Sequence, residues 1–561
     1  MHPSFKQALY RELDAQQQEL LRIQRLTLTS LLDEGHTAGL FAVNTTLSGT
    51  ATIMDPLPGV DMAMYEIQNK VFLVDKTGML ITDANGKVLL GTVKDKKGYL
   101  SLSGCSNVAL PAYVYPCKAS PVMDGCSDSL KVKDVNWPNL SYDQPVLYDA
   151  SKVPGCYLNR LSVAGVKAFL LAAGGNDLVG IKGPPGTGKS VLLGSLCTFF
   201  ALELNYRVLV TTKSHEALDE VVKNINEFSA TIGKQVTTQR WISERLLDTY
   251  QHKPIYKGAA VGKIKELEPC IGVTAAVIDS AFYAKPGFEF DIVVVDEAGQ
   301  QPMFQLQGLG RLAPRFVLSG DNDQLPPILS AEHTSDLDPA LSGLAWLVKH
   351  RGQEWVTPLD ISHRMNDEIC NIVRMVFYGE LNLQAGANKT AGVVGFRRSA
   401  FKLNGGRAGC VHTNSKEADD IEQLVKDLIG RQAFWDGNTR PLMPSDIAVL
   451  TPFRKQAMLL KSRLIPLGVE KIGTVDIMQG QSTAVVIFGL TSSDPLAMGA
   501  MSEFLFAPNR WNVAVSRAKC AAIVVGRLDV LDKVRPATLT GLRNLNRVKQ
   551  LLGLFADWKV S

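Results

Sequence analysis

The sequence predicts an α/β protein made of two tandem parallel-sheet domains, preceded by an N-terminal helix and a small β-barrel. Three observations predict it. Short, wholly apolar runs alternate with helix-length stretches in two separate blocks, and such runs between helices are strands covered on both faces. Upstream of both blocks the texture changes to closely spaced β-prone runs broken by turn residues, the pattern of a small barrel. Finally, 561 residues with 46% hydrophobic and 20% charged side chains suffice for three or four packed domains at roughly 150 residues each. That balance also separates the chain from disordered or fibrous ones.

Residues 1–37 are expected to form a helical stalk. Phe5, Leu9, Leu13, Leu20, Ile23, Leu26 and Leu31 recur near helical spacing over 4–34, and Gly35 ends the pattern. Residues 38–118 are the expected barrel, with runs at Leu40-Phe-Ala-Val43, Lys70-Val-Phe-Leu-Val74, Met79-Leu-Ile-Thr82 and Val88-Leu-Leu90. Residues 119–154, rich in Pro, Ser and Asp, read as a connector. The first parallel-sheet domain is placed at 155–354, on strands Leu178-Val-Gly-Ile181, Val208-Leu-Val210, Ile292-Val-Val-Val295 and Phe316-Val-Leu318. A charged, mostly helical insertion is expected within it at about 219–268. The second is placed at 355–561, on Ile447-Ala-Val-Leu450, Ile472-Gly-Thr-Val475, Val485-Val-Ile-Phe488 and Ala522-Ile-Val-Val525, with a C-terminal helical tail.

Bulk properties exclude several classes. A net charge of +4 permits nucleic-acid binding without demanding it. Nine cysteines show no zinc spacing, so no zinc domain is expected; Cys105, Cys117 and Cys126 are the only close set. Buried thiols in a reducing cytoplasm are the better reading. Lys6, Arg11, Glu12 and Asp14 exclude a signal peptide, and no apolar run approaches the roughly 20 residues that span a bilayer. A cytoplasmic chain with no membrane partner is expected.

The chemistry begins at Gly183-Pro-Pro-Gly-Thr-Gly-Lys-Ser190, between an apolar strand and the helix opened by Val191. In that context the backbone N–H groups of Gly183, Pro185's neighbours, Gly186, Thr187 and Gly188 cradle phosphates; Lys189 reaches the β- and γ-phosphates and Ser190 holds Mg²⁺. Asp296 ends a buried strand, where a second Mg²⁺ ligand stands, and Glu297 beside it is placed to orient or deprotonate an attacking water. ATP, with other NTPs possible, and Mg²⁺ are therefore the expected cofactors. The other half of the pattern lies more than 100 residues on, in Ser362-His-Arg-Met365, Gln479-Gly-Gln-Ser482 and Asn512-Val-Ala-Val-Ser-Arg-Ala-Lys519. Hydrolysis split over two domains suits a motor that opens and closes with each turnover.

With Asp296-Glu-Ala-Gly-Gln300 and Gly320-Asp-Asn-Asp-Gln-Leu-Pro-Pro327, the chain resembles the superfamily 1 helicases of the 5′→3′ (type B) branch, Up-frameshift-like subgroup, over about residues 156–528. The resemblance implies two tandem RecA-like motor domains. It implies that Gln324 senses the γ-phosphate and that Arg364 and Arg517 are arginine fingers, which stabilise charge spread over the transferring phosphoryl group. It places Ser214, His215, Thr274, Thr451 and Thr474 on the path of a single strand, DNA or RNA, held by its phosphates. Gly480 falls in a nucleotide-facing motif, and Phe453 is the aromatic expected to stack on the base. Asn512 and Ser516 are expected to build the turn that aims Arg517. Two positions depart from the pattern: Ser162 stands where an adenine-reading glutamine is usual, and Ser482 where close relatives carry glutamate. With both halves of the site in one chain, a monomer is expected. A non-unwinding translocase and a nucleotide-switched clamp are the alternatives; an AAA+ ring would lack the second sheet with its own arginine.

Overall fold

The computed structural model describes residues 7–8, 10–15, 18, six strand segments between 41 and 116, and 144–558 except 244–245, 265, 283, 286, 330–339 and 476–480. The described residues of the N-terminal stretch are helical; the rest of 4–34, the run Met79–Thr82, the three close cysteines and Gly480 lie outside the description. The chain divides into two compact units, the smaller within 10–123 and the larger carrying both parallel sheets.

In the smaller unit, strands Phe41–Leu47, Thr50–Pro56, Tyr99–Leu102, Leu90–Val93, Lys70–Asp75 and Ala112–Pro116 pair antiparallel in that order, and the first also pairs with the last.

The larger unit opens with an eight-stranded sheet ordered Ala260–Gly262, Thr238–Trp241, Gly272–Val277, Arg207–Thr212, Ile292–Val295, Phe316–Gly320, Leu178–Lys182 and Val356–Pro358. Every pairing is parallel. Its central strands are buried along their whole length, as apolar runs covered on both faces must be. Two expectations change here. Residues 219–268 are not a helical insertion: 219–231 complete the helix His215–Thr231, and Thr238–Trp241 and Ala260–Gly262 extend the sheet at its edge. The charged texture misled because Thr238-Gln-Arg-Trp241 is a polar strand and Ala260-Val-Gly262 is only three residues long. The boundary at 354/355 also moves, since Val356–Pro358 pairs with residues 180–182 of the first sheet; Pro358 is tolerated there because the strand is an edge.

The second sheet is ordered Lys471–Gly473, Ile447–Leu450, Thr483–Gly489, Ala518–Gly526, Ala400–Asn404 and Ala556–Asp557, again all parallel. Alternation along its strands feeds two apolar layers. Val486, Phe488 and Val524 join Ile369, Val373 and Trp511 on one side, while Val485, Ile487 and Ile523 join Ile421, Leu424 and Leu460 on the other. Among the described residues, no helix is long and apolar enough to cross a membrane.

Candidate active site

Strand Leu178–Lys182 ends in the loop 183–188, which turns into helix Lys189–Leu202. Glycine is required twice in that turn. Gly186 has φ +74, and a Cβ there would lie 2.4 Å from the Cβ of Arg364; Gly188 has φ +79 and caps the helix without a side chain. The Gly183 N–H donates to the Gly320 carbonyl at 2.8 Å, the Thr187 hydroxyl to the Pro184 carbonyl at 2.8 Å, and Lys189 Nζ to the Gly183 carbonyl at 2.6 Å. The loop is thus a cradle at a helix N-terminus, the place where backbone amides bind an anion.

Asp296 follows strand Ile292–Val295 and is 3% exposed. Its Oδ1 accepts the Ser319 hydroxyl at 2.9 Å and the Glu297 amide at 3.0 Å. Burial and then the neighbouring Glu297 charge push its pKa up to about 6, with Lys189 pulling the other way. Glu297 turns the chain in a left-handed conformation, φ +57, and its Oε2 accepts from Gln300 Nε2 at 3.0 Å. Gly299 is needed because a Cβ there would meet the Asp321 carbonyl at 2.4 Å. The hydroxyl of Ser190 and the carboxylate of Asp296 are hard oxygen donors. They fit Mg²⁺, which takes one or two protein ligands beside substrate phosphates and would relieve the crowding that raises Asp296.

The second domain closes directly on this loop. The Ser362 hydroxyl donates to the Pro185 carbonyl and the His363 N–H to the Gly186 carbonyl, each at 2.8 Å. Arg364 Nη1 reaches the Ser516 carbonyl at 3.4 Å. Arg517, 3% exposed, stands just before strand Ala518–Gly526; its Nη2 donates to Gln324 Oε1 at 2.7 Å, and Gln324 Nε2 donates to Asp321 Oδ2 at 2.9 Å. Burial and then the Arg517 charge push the Arg364 pKa down to about 9, against the pull of Glu297. Burial also lowers Arg517, whose Nε is buried without a partner. Two crowded guanidiniums, with the unpaired Arg517 Nε among their donors, thus face the phosphate loop beside Lys189. That donor set fits a polyphosphate.

Two family models, each described as an AAA domain, match the chain side by side, at residues 166–355 and 342–529. The "DNA replication ATP-dependent helicase/nuclease DNA2" of Gallus gallus is 26% identical over 392 residues, covering 68% of this chain and 37% of its own length. The "DNA polymerase alpha-associated DNA helicase A" of Schizosaccharomyces pombe is 25% identical, covering 69% of this chain and 66% of its own length. Over its two parallel-sheet domains the chain is therefore similar to proteins named as ATP-dependent DNA helicases. It spans well under half the length of the DNA2 relatives it matches. Among solved structures, arterivirus nonstructural protein 10 (helicase) with DNA aligns over 86% of this chain and 83% of its own, at 15% identity and a TM-score of 0.38.

Within the two parallel-sheet domains the remaining expected site residues fall less evenly. Ser162 is the N-cap of helix Val163–Ala173, its Oγ accepting from the Gly165 amide at 3.1 Å; the hydroxyl does local work that any helix start asks of a serine. Phe453 follows strand Ile447–Leu450, whereas Arg517 precedes Ala518–Gly526, two strands over in the same all-parallel sheet, so the two stand at opposite ends of that sheet. Phe453 packs instead on His412 and Phe504, at ring-centroid distances of 5.0 and 5.8 Å. The exposed ring beside the phosphate loop is His363. Thr274 and Thr451 are fully buried. Strand Gly272–Val277 runs on past Thr274, whose hydroxyl faces Gln239 at 3.3 Å, and Thr451 is tied to Thr491 at 2.7 Å. Thr474 is half-buried.

Ser214 is exposed and caps helix His215–Thr231. His215 beside it is held by Arg240, whose Nη2 lies 2.6 Å from Nδ1. Arginine only donates, so Nδ1 accepts and the ring proton sits on Nε2. Burial, then the Arg240 charge, pushes the His215 pKa down to about 4. Arg240 is fully buried, with the Tyr250 and Tyr256 rings 5.1 and 5.9 Å away. Asn512 does not build a turn: its Nδ2 crosses the cleft to the Asp323 carbonyl at 2.7 Å and, within its own domain, donates to the Tyr378 hydroxyl at 2.8 Å. Arg240, Tyr378 and His363 were not foreseen. Only His363, adjacent to Arg364, carried a signal in the sequence.

Proposed function

We propose that the chain is an NTP-hydrolysing motor that moves 5′→3′ along single-stranded nucleic acid, DNA in the first instance, and separates duplexes. One observation carries this reading: an acid pair from the first sheet and two arginines from the second converge on the loop 183–188. In this reading Lys189 holds the β- and γ-phosphates of ATP, and Ser190 and Asp296 hold Mg²⁺, which would neutralise charge on the phosphate oxygens. Glu297 orients and deprotonates the water, Gln324 lies beside the γ-phosphate, and Arg364 and Arg517 stabilise the charge that spreads during transfer. His363, rather than Phe453, is the ring that meets the base. Stacking accepts any base because each has a π-face, so ATP and GTP should both serve.

The strand path is assigned to groups at the carboxyl edges, the exposed Ser214 and half-buried His215 in the first sheet, with the half-buried Thr474 in the second. Ligands of open α/β sheets sit outside the carboxyl ends of the strands. The names of the matched relatives, which speak of ATP-dependent helicases and of DNA, support the reaction and favour DNA over RNA. The smaller unit is assigned as an accessory barrel reached by a helical stalk. The motif set suits both the Up-frameshift-like and the DNA2-like branches.

The test is ATP hydrolysis with and without matched single-stranded DNA and RNA, together with unwinding of duplexes bearing one 5′ or one 3′ tail. Stimulation by DNA and unwinding from the 5′ tail are expected. No stimulation by either polymer would remove the motor reading, and unwinding from 3′ tails alone would reverse the polarity.

A further inference from the structure

Tyr378 closes helix Asp367–Phe377 of the second domain and is 2% exposed. Its hydroxyl donates across the cleft to Asp321 Oδ2 and accepts from Asn512 Nδ2. Asp321 already has a full load: Oδ1 takes the Asp323 amide at 3.1 Å, and Oδ2 is shared between Tyr378 and Gln324 Nε2. Because Gln324 gives its amide nitrogen to Asp321, its carbonyl oxygen is turned to Arg517 Nη2. Asn512 lies in helix Pro508–Ser516, whose C-cap is Arg517 itself. The contacts form a ring: Tyr378 to Asp321, to Gln324, to Arg517, back through one helix to Asn512 and to Tyr378.

Four further contacts hold the ring in place. Lys182, the last residue before the phosphate loop, pairs with Asp323 at 2.8 Å and lies 5.9 Å from the centroid of the Tyr378 ring. Asn509 Nδ2 donates to the carbonyls of Asn322 and Gln324. Burial and the Asp321 charge keep the Tyr378 hydroxyl protonated, so it remains a donor. Asp321 is itself buried and raised by that burial, which makes each donor it receives worth more than it would be in water.

We propose that Tyr378 is a positioning residue of the nucleotide reaction: its hydroxyl fixes Asp321, and through it the orientation of Gln324 and the stance of Arg517. Tyr378 touches none of the reacting atoms. It acts by making the first domain's Asp321–Gln324 loop and the second domain's arginine-bearing helix move as one piece. The inference rests on the NTPase reading above.

The test compares the full-length wild type with Tyr378→Phe, which deletes the hydroxyl and keeps the ring over Lys182. Expected are a fall in kcat of about tenfold, the scale of one lost hydrogen bond to a charged group, and a KM for ATP within about twofold of wild type. Because Tyr378 and Gln324 act on Arg517 through the same chain, the double variant Tyr378→Phe/Gln324→Ala should be no slower than Gln324→Ala alone. Wild-type kcat in Tyr378→Phe, a raised KM with kcat intact, or multiplicative losses in the double variant would each overturn the proposal. Should Tyr378→Phe fail to fold, Asn512→Ser opens the same ring from the other side. The same fall in kcat is then required, and its absence overturns the proposal equally. An inactive wild type refutes the NTPase reading. An active wild type, a dead Lys189→Ala and an unaffected Tyr378→Phe refute only the role of Tyr378.

Discussion

At the carboxyl edge of the first sheet, Asp296, Glu297, Asp321 and Gln324 turn their polar groups into a cleft shared with Arg364 and Arg517. At the carboxyl edge of the second, Glu417, Asn414, Gln456, Thr451 and Thr491 are fully buried and bonded to one another. Glu417 Oε2 accepts the Thr491 amide at 2.7 Å, Gln456 and Asn414 exchange bonds of 2.8 and 3.1 Å, and the two threonine hydroxyls meet at 2.7 Å. Each edge even has its own left-handed non-glycine residue, Glu297 at φ +57 and Thr491 at φ +65. The difference is closure. In the second edge every donor named here has its acceptor within the protein, whereas in the cleft that the first edge faces the Arg517 Nε and the Ser516 hydroxyl are buried without an acceptor and the Asn512 Oδ1 without a donor. A polar strand end marks a ligand site where the protein leaves such groups unmatched, and marks a structural clasp where it matches them.

Mutations should separate the edges cleanly. The largest expected effect is at the first: Lys189→Ala or Asp296→Ala should remove turnover by about 10³-fold or more while the Tm stays near wild type, as steady-state hydrolysis and thermal unfolding would report. At the second the pattern should invert. Glu417→Ala strands the Thr491 amide and should cost about 2 kcal/mol of stability with kcat of the folded protein unchanged. A large fall in kcat at unchanged Tm would make this edge functional after all.

Titration gives a smaller contrast of opposite signs. Burial pushes the Glu417 pKa from 4.5 up to about 8. Between those values the folded chain keeps a proton that the unfolded chain has lost, so its contribution to stability falls as pH rises through the window. His215 is moved from 6.5 down to about 4. There the unfolded chain binds the extra proton, and stability falls as pH drops from about 6.5 toward 4. Denaturant unfolding at stepped pH should show the first slope flattened in Glu417→Gln and the second flattened in His215→Gln. Unaltered slopes would mean that other groups set them. The smallest effect expected is none: Phe453→Ala should leave the relative kcat/KM for ATP, GTP, CTP and UTP within about twofold, since Phe453 stands at the far end of the sheet from Arg517. A changed ranking would return the base to Phe453.

Much of the first edge was legible in the sequence because its parts are contiguous: a strand, a glycine turn and a helix in one run, and an acid pair directly ending a strand. The second edge was misjudged where distance along the chain stood in for position in space. In the first sheet, Thr274 is expected on the nucleic-acid path, but it lies inside strand Gly272–Val277 and is fully buried. Phe453 could have been placed correctly from the sequence, because a residue after one strand and a residue before another strand of the same parallel sheet must lie at opposite ends. Tyr378 and Arg240 could not have been found, since each gains its meaning only from partners at least 25 residues away. The strands at 238–241 and 260–262 were hidden because neither is a continuous apolar run of strand length: the first is polar though largely buried, and the second has three residues.

The central claim is that the second domain completes the nucleotide site of the first within one chain. Measuring ATP affinity and single-turnover hydrolysis in Arg364→Ala and Arg517→Ala tests it most directly. The expected result is affinity within about fivefold of wild type and hydrolysis slowed by about 10³-fold in each, the low end for an arginine finger because two share the task. Hydrolysis at the wild-type rate in both variants would contradict it.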